Sequence, residues 1–306
     1  MSKSFLKLVV LLMLAFVVLF APPLLADDNH AMPFLRMGVG ARALGMGGAY
    51  IAEVKDASAT YWNPAGLTQI GNLNITGMLS AQMSYERDHN FLAYGRKFGF
   101  GALAMGWISS EVRGIRYYTS QDELQWTFKE TENAFMLSYA RDVGKFSVGV
   151  GLKVVNQKMA DFLNETGLGM DFGIRYAYNQ DLVFGAVAKD VATKIGGWTG
   201  KREVWNDRVP ANFGVGVAVY PYPGLTFPVD VYKVEGREDM ALHFGGEYAY
   251  EFDEKLCVSL RAGSNDGQIA FGFGVKIVKF SVDYAFMSEQ QNFLKENHKF
   301  SFSVDF

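Results

Sequence analysis

The stretch Gln268-Ile-Ala-Phe-Gly-Phe-Gly-Val-Lys-Ile277 places Ile269, Phe271, Phe273, Val275 and Ile277 on one face and Gln268, Ala270, Gly272, Gly274 and Lys276 on the other. A period of two is that of a β-strand with one apolar side. The non-apolar face decides the class. A strand of a soluble sandwich turns charge to solvent there, whereas these positions are mostly small. Small residues suit a crowded barrel interior, and the Phe-rich face then suits lipid. A soluble sandwich or lipocalin-like barrel is the alternative, because alternation alone does not separate lipid from a protein core.

The same pattern extends in both directions from this segment. Phe300, Phe302, Val304 and Phe306 alternate with Lys299, Ser301, Ser303 and Asp305, and Leu168, Met170, Phe172, Ile174 and Tyr176 alternate with Gly169, Asp171, Gly173 and Arg175. Fourteen strands are predicted, at 72–83, 89–97, 99–109, 130–141, 144–158, 165–178, 181–191, 209–220, 224–234, 239–251, 255–264, 268–278, 280–287 and 299–306. Bacterial barrels have even strand counts, short turns on one rim and long loops on the other. The links after even-numbered strands are tight, whereas the long ones, 110–129, 192–208 and 288–298, follow odd-numbered strands. The expected architecture is therefore an all-β, 14-stranded antiparallel transmembrane β-barrel. Closure leaves no strand edge unpaired in lipid.

Residues 1–26 have the form of an export signal, with Lys3 and Lys7 ahead of an apolar run from Leu8 to Phe20 and a cut expected after Ala26. An uncleaved anchor is the alternative, although the run is short of the roughly 20 apolar residues of a spanning helix. Cleavage removes only Lys3 and Lys7 among charged residues, so the formal charge moves from −3 to −5. That balance excludes a nucleic-acid partner. A single cysteine, Cys257, excludes an internal disulfide. The expected location is the bacterial outer membrane, with membrane lipid and the barrel assembly machinery as partners. Phe306 stands where barrels carry a terminal aromatic for assembly.

Between the signal and the first strand lies a segment without alternation, Gly38-Val-Gly-Ala-Arg-Ala-Leu-Gly-Met-Gly-Gly-Ala-Tyr-Ile-Ala-Glu-Val-Lys-Asp-Ala-Ser-Ala-Thr-Tyr-Trp-Asn-Pro-Ala-Gly-Leu67. Its small residues permit tight packing, and Asn63-Pro64 marks a turn or helix start. The glycines are not a nucleotide loop, since no Gly-Lys-Ser/Thr follows and no buried strand precedes. This run resembles the N-terminal signature of the PorV/PorQ family, a branch of the FadL-like outer-membrane barrels. The resemblance rests on Gly45, Met46, Gly47 and Gly48 in the glycine-rich stretch, Asp56 and Ala57 as the acidic-small pair, and Trp62, Asn63, Pro64 and Ala65 in the turn. It implies a hatch at 27–70 lodged in the lumen of a barrel at 71–306. It also implies passage of hydrophobic, fatty-acid-like molecules through the plugged barrel. The PorV side implies an alternative, handling of secreted protein cargo in type IX secretion, and a structural role is a third reading.

Parity turns Lys153, Asp171, Arg175, His243, Glu247, Arg261, Lys276, Asp283 and Asp305 into the predicted lumen. Both signs occur, so they read as structural ion pairs or as a polar route. In the 110–129 link, Tyr117, Tyr118 and Trp126 suit ligand capture, partner docking or an interfacial girdle, and Trp198 and Trp205 in the 192–208 link face the same choice. Catalysis has little support. The four histidines show no paired spacing, and neither G-x-S-x-G nor H-E-x-x-H occurs. No cofactor motif is present, and Asp27, Asp28 and His30 read as an acidic start more readily than as metal ligands.

Overall fold

The computed structural model describes residues 32–81, 87–118, 123–160, 163–199, 202–288 and 297–306. The expected signal at 1–26 and Asp27, Asp28 and His30 lie outside these residues. The strands are β1 (Leu73–Ala81), β2 (Arg87–Phe98), β3 (Gly101–Tyr118), β4 (Leu124–Val143), β5 (Phe146–Met159), β6 (Leu163–Ala177), β7 (Leu182–Thr199), β8 (Arg202–Arg208), β9 (Asn212–Tyr222), β10 (Leu225–Val234), β11 (Met240–Glu251), β12 (Leu256–Asn265), β13 (Gln268–Ile277), β14 (Phe280–Met287) and β15 (His298–Asp305). Sequence neighbours pair antiparallel, except β8 and β9, which both pair with β7, and the ring closes through β1 on β15 and β6 on β7.

The wall holds fourteen strands because β8 and β9 are two pieces of one. β7 pairs with β8 along its outer part and with β9 along Leu182–Lys189. Between the pieces sits Pro210, which has no N–H for a ladder and a fixed φ. Val209 N–H still donates to β7, at the Thr193 carbonyl 3.1 Å away, whereas Ala211 N–H turns to the Glu235 carboxylate at 3.1 Å.

Two long links differ from the sequence expectation. Residues 110–118 and 124–129 continue β3 and β4, and 192–199 with 202–208 form the β7–β8 hairpin. In the β3–β4 hairpin the apolar alternation stops while the ladder continues: Ile115 faces Phe128 and Tyr117 faces Trp126 across it. Beyond the bilayer both faces meet water, so no apolar face remains to mark the strand.

Burial separates the two sides of the wall. Along β15, Phe300 and Phe302 are exposed while Lys299 and Ser301 are buried, and in β13 Phe271 and Phe273 are exposed while Ala270 is buried. Leu137, Leu152, Phe172, Leu242, Phe244, Leu260 and Val282 are exposed likewise. A soluble protein does not expose large apolar side chains along most of its strands while burying Lys, Asp, Glu and Arg within. The exterior is built for hydrocarbon, and the soluble alternative fails on this inversion.

Residues 32–70 run inside the ring. They contain the 3-10 turn Pro33–Arg36, the short helices Ala41–Gly45 and Ala59–Trp62, and the 3-10 turn Pro64–Gln69. Pro33 and Pro64 open their turns, where a missing N–H costs nothing. The helix Ala41–Gly45 ends at Gly47 and Gly48, whose φ values of 70° and 75° allow the Gly48 N–H to return to the Ala43 carbonyl at 2.9 Å. Bonds reach strands on all sides of the ring, from Ala41 N–H to Ser301 Oγ of β15, from Tyr50 N–H to Asp230 of β10, and between the Thr60 and Ser138 hydroxyls of β4.

Candidate functional site: the occluded lumen and its wall

The Asn-Pro-Ala turn abuts the wall at backbone distance. Asn63 Oδ1 accepts from Ala65 N–H at 3.1 Å, the cap expected of an asparagine before a helical turn. Its Nδ2 donates to the Ile51 carbonyl at 2.9 Å and to the Ile174 carbonyl of β6 at 3.2 Å. A Cβ at Gly173 would sit 2.0 Å from Asn63 Oδ1, and one at Gly149 would sit 2.4 Å from the Ala65 nitrogen. These two wall glycines are therefore the seat of the turn.

The other motif residues sit across the lumen. Met46 and Gly47 lie on β11 and β12, where a Cβ at Gly245 would be 2.5 Å from the Met46 carbonyl oxygen and one at Gly263 would be 2.5 Å from the Gly47 nitrogen. His243 Nδ1 is 3.0 Å from the Gly47 carbonyl, which accepts. Gly45 packs against Gly272 of β13, and Gly48 against the His243 ring. Asp56 accepts from Ser58 N–H at 2.8 Å and from the Tyr50 hydroxyl at 3.0 Å, closing the turn before Ala57. Trp62 Nε1 donates to the Val39 carbonyl at 2.9 Å, and its ring meets Tyr61 edge-on with centroids 4.9 Å apart.

The inward charges fall into groups. Lys153 bridges Asp171 at 3.1 Å and Asp190 at 2.5 Å. Beside them Lys189 rests its ammonium 3.6 Å from the Tyr61 ring centroid, a cation–π seat. A second group is a chain: Arg42 of the inner segment bonds Glu53 and Glu247, Glu247 bonds Arg261, and Arg261 bonds Asp283 at 2.7 Å. Lys276 pairs with Asp305 at 2.8 Å near the short-turn rim. Arg175 Nε donates to the Ala52 carbonyl at 3.4 Å. Burial alone would raise the Glu53 carboxyl, but Lys55, Arg42 and the donating Tyr220 hydroxyl outweigh it and hold it below the usual range.

The nine inward residues read from parity thus meet one another or the inner segment. Arg42, Glu53, Lys189, Asp190 and Asp230 belong with them and escaped that reading. Asp230 Oδ2 accepts from the Tyr50 and Ile51 amides at 2.6 and 2.9 Å. Its signal was present, an acid between Val229 and Val231 on the inward phase of β10. Asp190 gave no such signal, because irregular pairing in β7 shifts its phase.

Towards the long-loop end the interior holds apolar side chains beside buried polar ones such as His89, Ser110 and Glu132. Met32, Phe34 and Leu35 are buried in one cluster with Met78, Phe91, Ile108, Met136 and Met287. On the outer strands Tyr117 and Trp126 stack with centroids 4.8 Å apart and remain about half exposed, as does Tyr118. Trp198 and Trp205 have their backbones in β7 and β8, with side chains outside the description. Phe306 is exposed beyond β15; its amide donates to the Leu73 carbonyl at 2.8 Å, and Lys279 lies 5.3 Å from its ring centroid.

The ladder is irregular in β3–β4, β7–β8 and β9–β10 as well as in β6–β7. The β6–β7 register shifts twice, between Leu168 and Met170 and again between Met170 and Phe172, leaving Met170 opposite Val191 as an isolated pair. Asp190 and Ala192 take φ values of 58° and 54°, an uncommon region for residues with a Cβ. Bulges of this kind bend a strand and interrupt its ladder. The lipid-facing surface there carries an apolar groove of about 700 Å³ lined by Met105, Phe135, Leu137, Leu152, Leu168 and Met170. The buried Lys153 borders it from behind.

Among the described residues no group of three or more His, Cys, Asp or Glu is placed to hold a metal. No family model matches the sequence, and no curated protein matches it. Solved structures do. The Pseudomonas putida toluene transporter TodX superposes with a TM-score of 0.62 at 12% identity, covering 88% of this chain and 98% of that one. The Ralstonia pickettii toluene transporter TbuX gives 0.59 at 14% identity, with 88% and 98% covered. A Pseudomonas aeruginosa FadL homologue gives 0.54 at 8% identity, with the same shares covered. These likenesses show a shared barrel fold.

Proposed function

We propose that this chain is an outer-membrane barrel, exported with residues 1–26 removed, through which small hydrophobic molecules pass and leave sideways between β6 and β7. The observation that carries the reading is the interrupted β6–β7 ladder beside an apolar, lipid-facing groove. An occluded lumen suits such a route better than an open aqueous pore. Water-soluble solutes need a continuous wet path, whereas an apolar solute gains by entering a greasy cavity and then lipid. The fold shared with toluene transporters agrees with this reading. Residues 27–70 act as the hatch, and the Gly45–Gly48 and Asn63–Ala65 motifs fit the PorV/PorQ branch.

Proteoliposomes containing the mature chain test this reading with two readings of the same vesicles. Toluene or a fatty acid should equilibrate faster than through empty vesicles, while single-channel ion conductance stays near zero. A large stable conductance, or hydrophobic solute entry no faster than in empty vesicles, overturns it.

A second reading, cargo handling in type IX secretion, draws on the outer β3–β4 hairpin, where stacked Tyr117 and Trp126 project apolar surface beyond the lipid-facing band. Photocrosslinking from position 126 in native membranes should then recover exported proteins, and recovery of lipid alone counts against it.

A further inference from the structure

The short-turn mouth of the lumen holds a second cavity, of about 530 Å³, between the inner segment and the rim of β5, β6 and β7. Three cations line it, Lys55, Lys145 and Arg175, together with Gln69, Tyr178 and Asn179, and no carboxylate does. Of the three, Lys55 alone has an acid partner among the described residues, Glu53 at 3.3 Å.

Its two wall cations are under-used. Arg175 engages the protein through Nε alone, on the Ala52 carbonyl at 3.4 Å, and Lys145 through one bond to the Tyr178 carbonyl at 3.2 Å. Neither forms an ion pair among the described residues. Among the nearby acids, Glu53 binds Arg42, Lys55 and Tyr220, and Asp142 accepts from the Ser147 hydroxyl at 2.6 Å. A half-buried guanidinium whose terminal nitrogens make no bond among the described residues, sharing one lining with the Lys55 and Lys145 ammonium groups, is a donor set for an oxyanion, since its fork matches carboxylate and phosphate oxygens in pairs.

The geometry points to a binding site in this mouth for a small free anion bearing a carboxylate or phosphate group. The lumen-facing position of the pocket decides between a free anion and a lipid headgroup. Arg175 shares the inward phase of Asp171 and Gly173, and Lys55 and Gln69 come from the inner segment, so lipid on the outer surface is separated from the pocket by the wall. The cavity also exceeds a single phosphate group, which favours a multivalent anion. This assignment is independent of hydrophobic passage.

The mature, full-length barrel in neutral detergent at about 0.15 M salt, where exposed charges are screened, is titrated calorimetrically with citrate and with inorganic phosphate. Saturable binding of at least one is expected. It should weaken several-fold in Arg175→Gln and in Lys145→Gln, and stay unchanged in Lys255→Gln, which removes the same charge from another turn of the rim. Lys145 is exposed, so its variant reports on the site even where Arg175→Gln fails to fold. The titration is repeated in nanodiscs with and without phosphatidylglycerol. Absence of saturable binding, equal binding in the two pocket variants and wild type, or loss of citrate binding when anionic lipid is present each overturns the assignment, the last by making a headgroup the occupant.

Discussion

Asn63 of the inner segment donates its side-chain amide to the Ile174 carbonyl of β6, 3.2 Å away and 111 residues later in the chain, and thereby hooks the inner segment to the wall. The same side chain caps the turn that follows and holds the Ile51 carbonyl. It is fully buried, so none of these partners has water as a substitute.

Replacing Asn63 with Ala should loosen the inner segment without unfolding the barrel. Each buried partner left unsatisfied costs about 1–3 kcal/mol. Limited proteolysis of detergent-solubilised protein should cut within 32–70 in Asn63→Ala and spare the wild type, and planar-bilayer conductance should rise. Gly173→Val, which drives a side chain into Asn63, should do the same. Unchanged proteolysis in both would remove the turn from the seal.

Arg42 is the cation that ties the inner segment to the β11–β14 wall. Removing one partner of a buried pair costs up to about 3–5 kcal/mol, and without Arg42 the Glu247 and Glu53 carboxylates keep only Arg261 and Lys55. Arg42→Gln should lower the temperature at which the barrel loses its heat-resistant gel mobility. The double change Arg42→Gln with Glu247→Gln should recover part of that loss, since Arg261 then keeps Asp283 as partner. A melting temperature equal to wild type would show that the chain of ions does not hold the segment.

Acid should act at Glu53, which pairs with Arg42 and Lys55 within the inner segment and accepts from the Tyr220 hydroxyl of β9. The folded Glu53 carboxyl lies below its unfolded value, so its contribution is fully present above the unfolded pKa and is lost as pH falls through the folded one. Protease sensitivity of 32–70 should therefore increase as pH drops below about 4, the ordinary carboxylate range. Glu53→Gln should flatten that step while raising sensitivity at neutral pH. A step of equal size in Glu53→Gln would assign it to other carboxylates.

The legible and illegible parts of the sequence divide along one physical line. Wall strands such as β13 and β15 are plain because lipid on one side and packed small residues on the other impose a strict period of two. Where the environment becomes the same on both faces the signal vanishes, and the outer halves of β3 and β4 pass for a loop although Tyr117 and Trp126 are ladder partners. The β8–β9 break was written in Pro210, within a segment whose apolar residues ran on past it. Inward charges such as Lys153 and Asp171 follow from parity. Their third member, Asp190, does not, because the bulge that delivers it is a property of how β7 pairs. Arg42 and Glu247 are 205 residues apart in sequence, and no local pattern in a glycine-rich segment reveals that they meet.

The central claim is that hydrophobic molecules leave through the wall between β6 and β7, and a crosslink across that wall tests it. Met170 and Val191 are the isolated partners within the interrupted ladder. In a Cys257→Ser background, Met170→Cys with Val191→Cys should form a disulfide on oxidation. Toluene entry into proteoliposomes should then fall several-fold and return on reduction, with the same pair at Leu152 and Met170 on the regular β5–β6 ladder leaving entry unchanged. Entry at the wild-type rate with the Met170–Val191 crosslink verified by mass spectrometry would contradict the account and move the route elsewhere in the barrel.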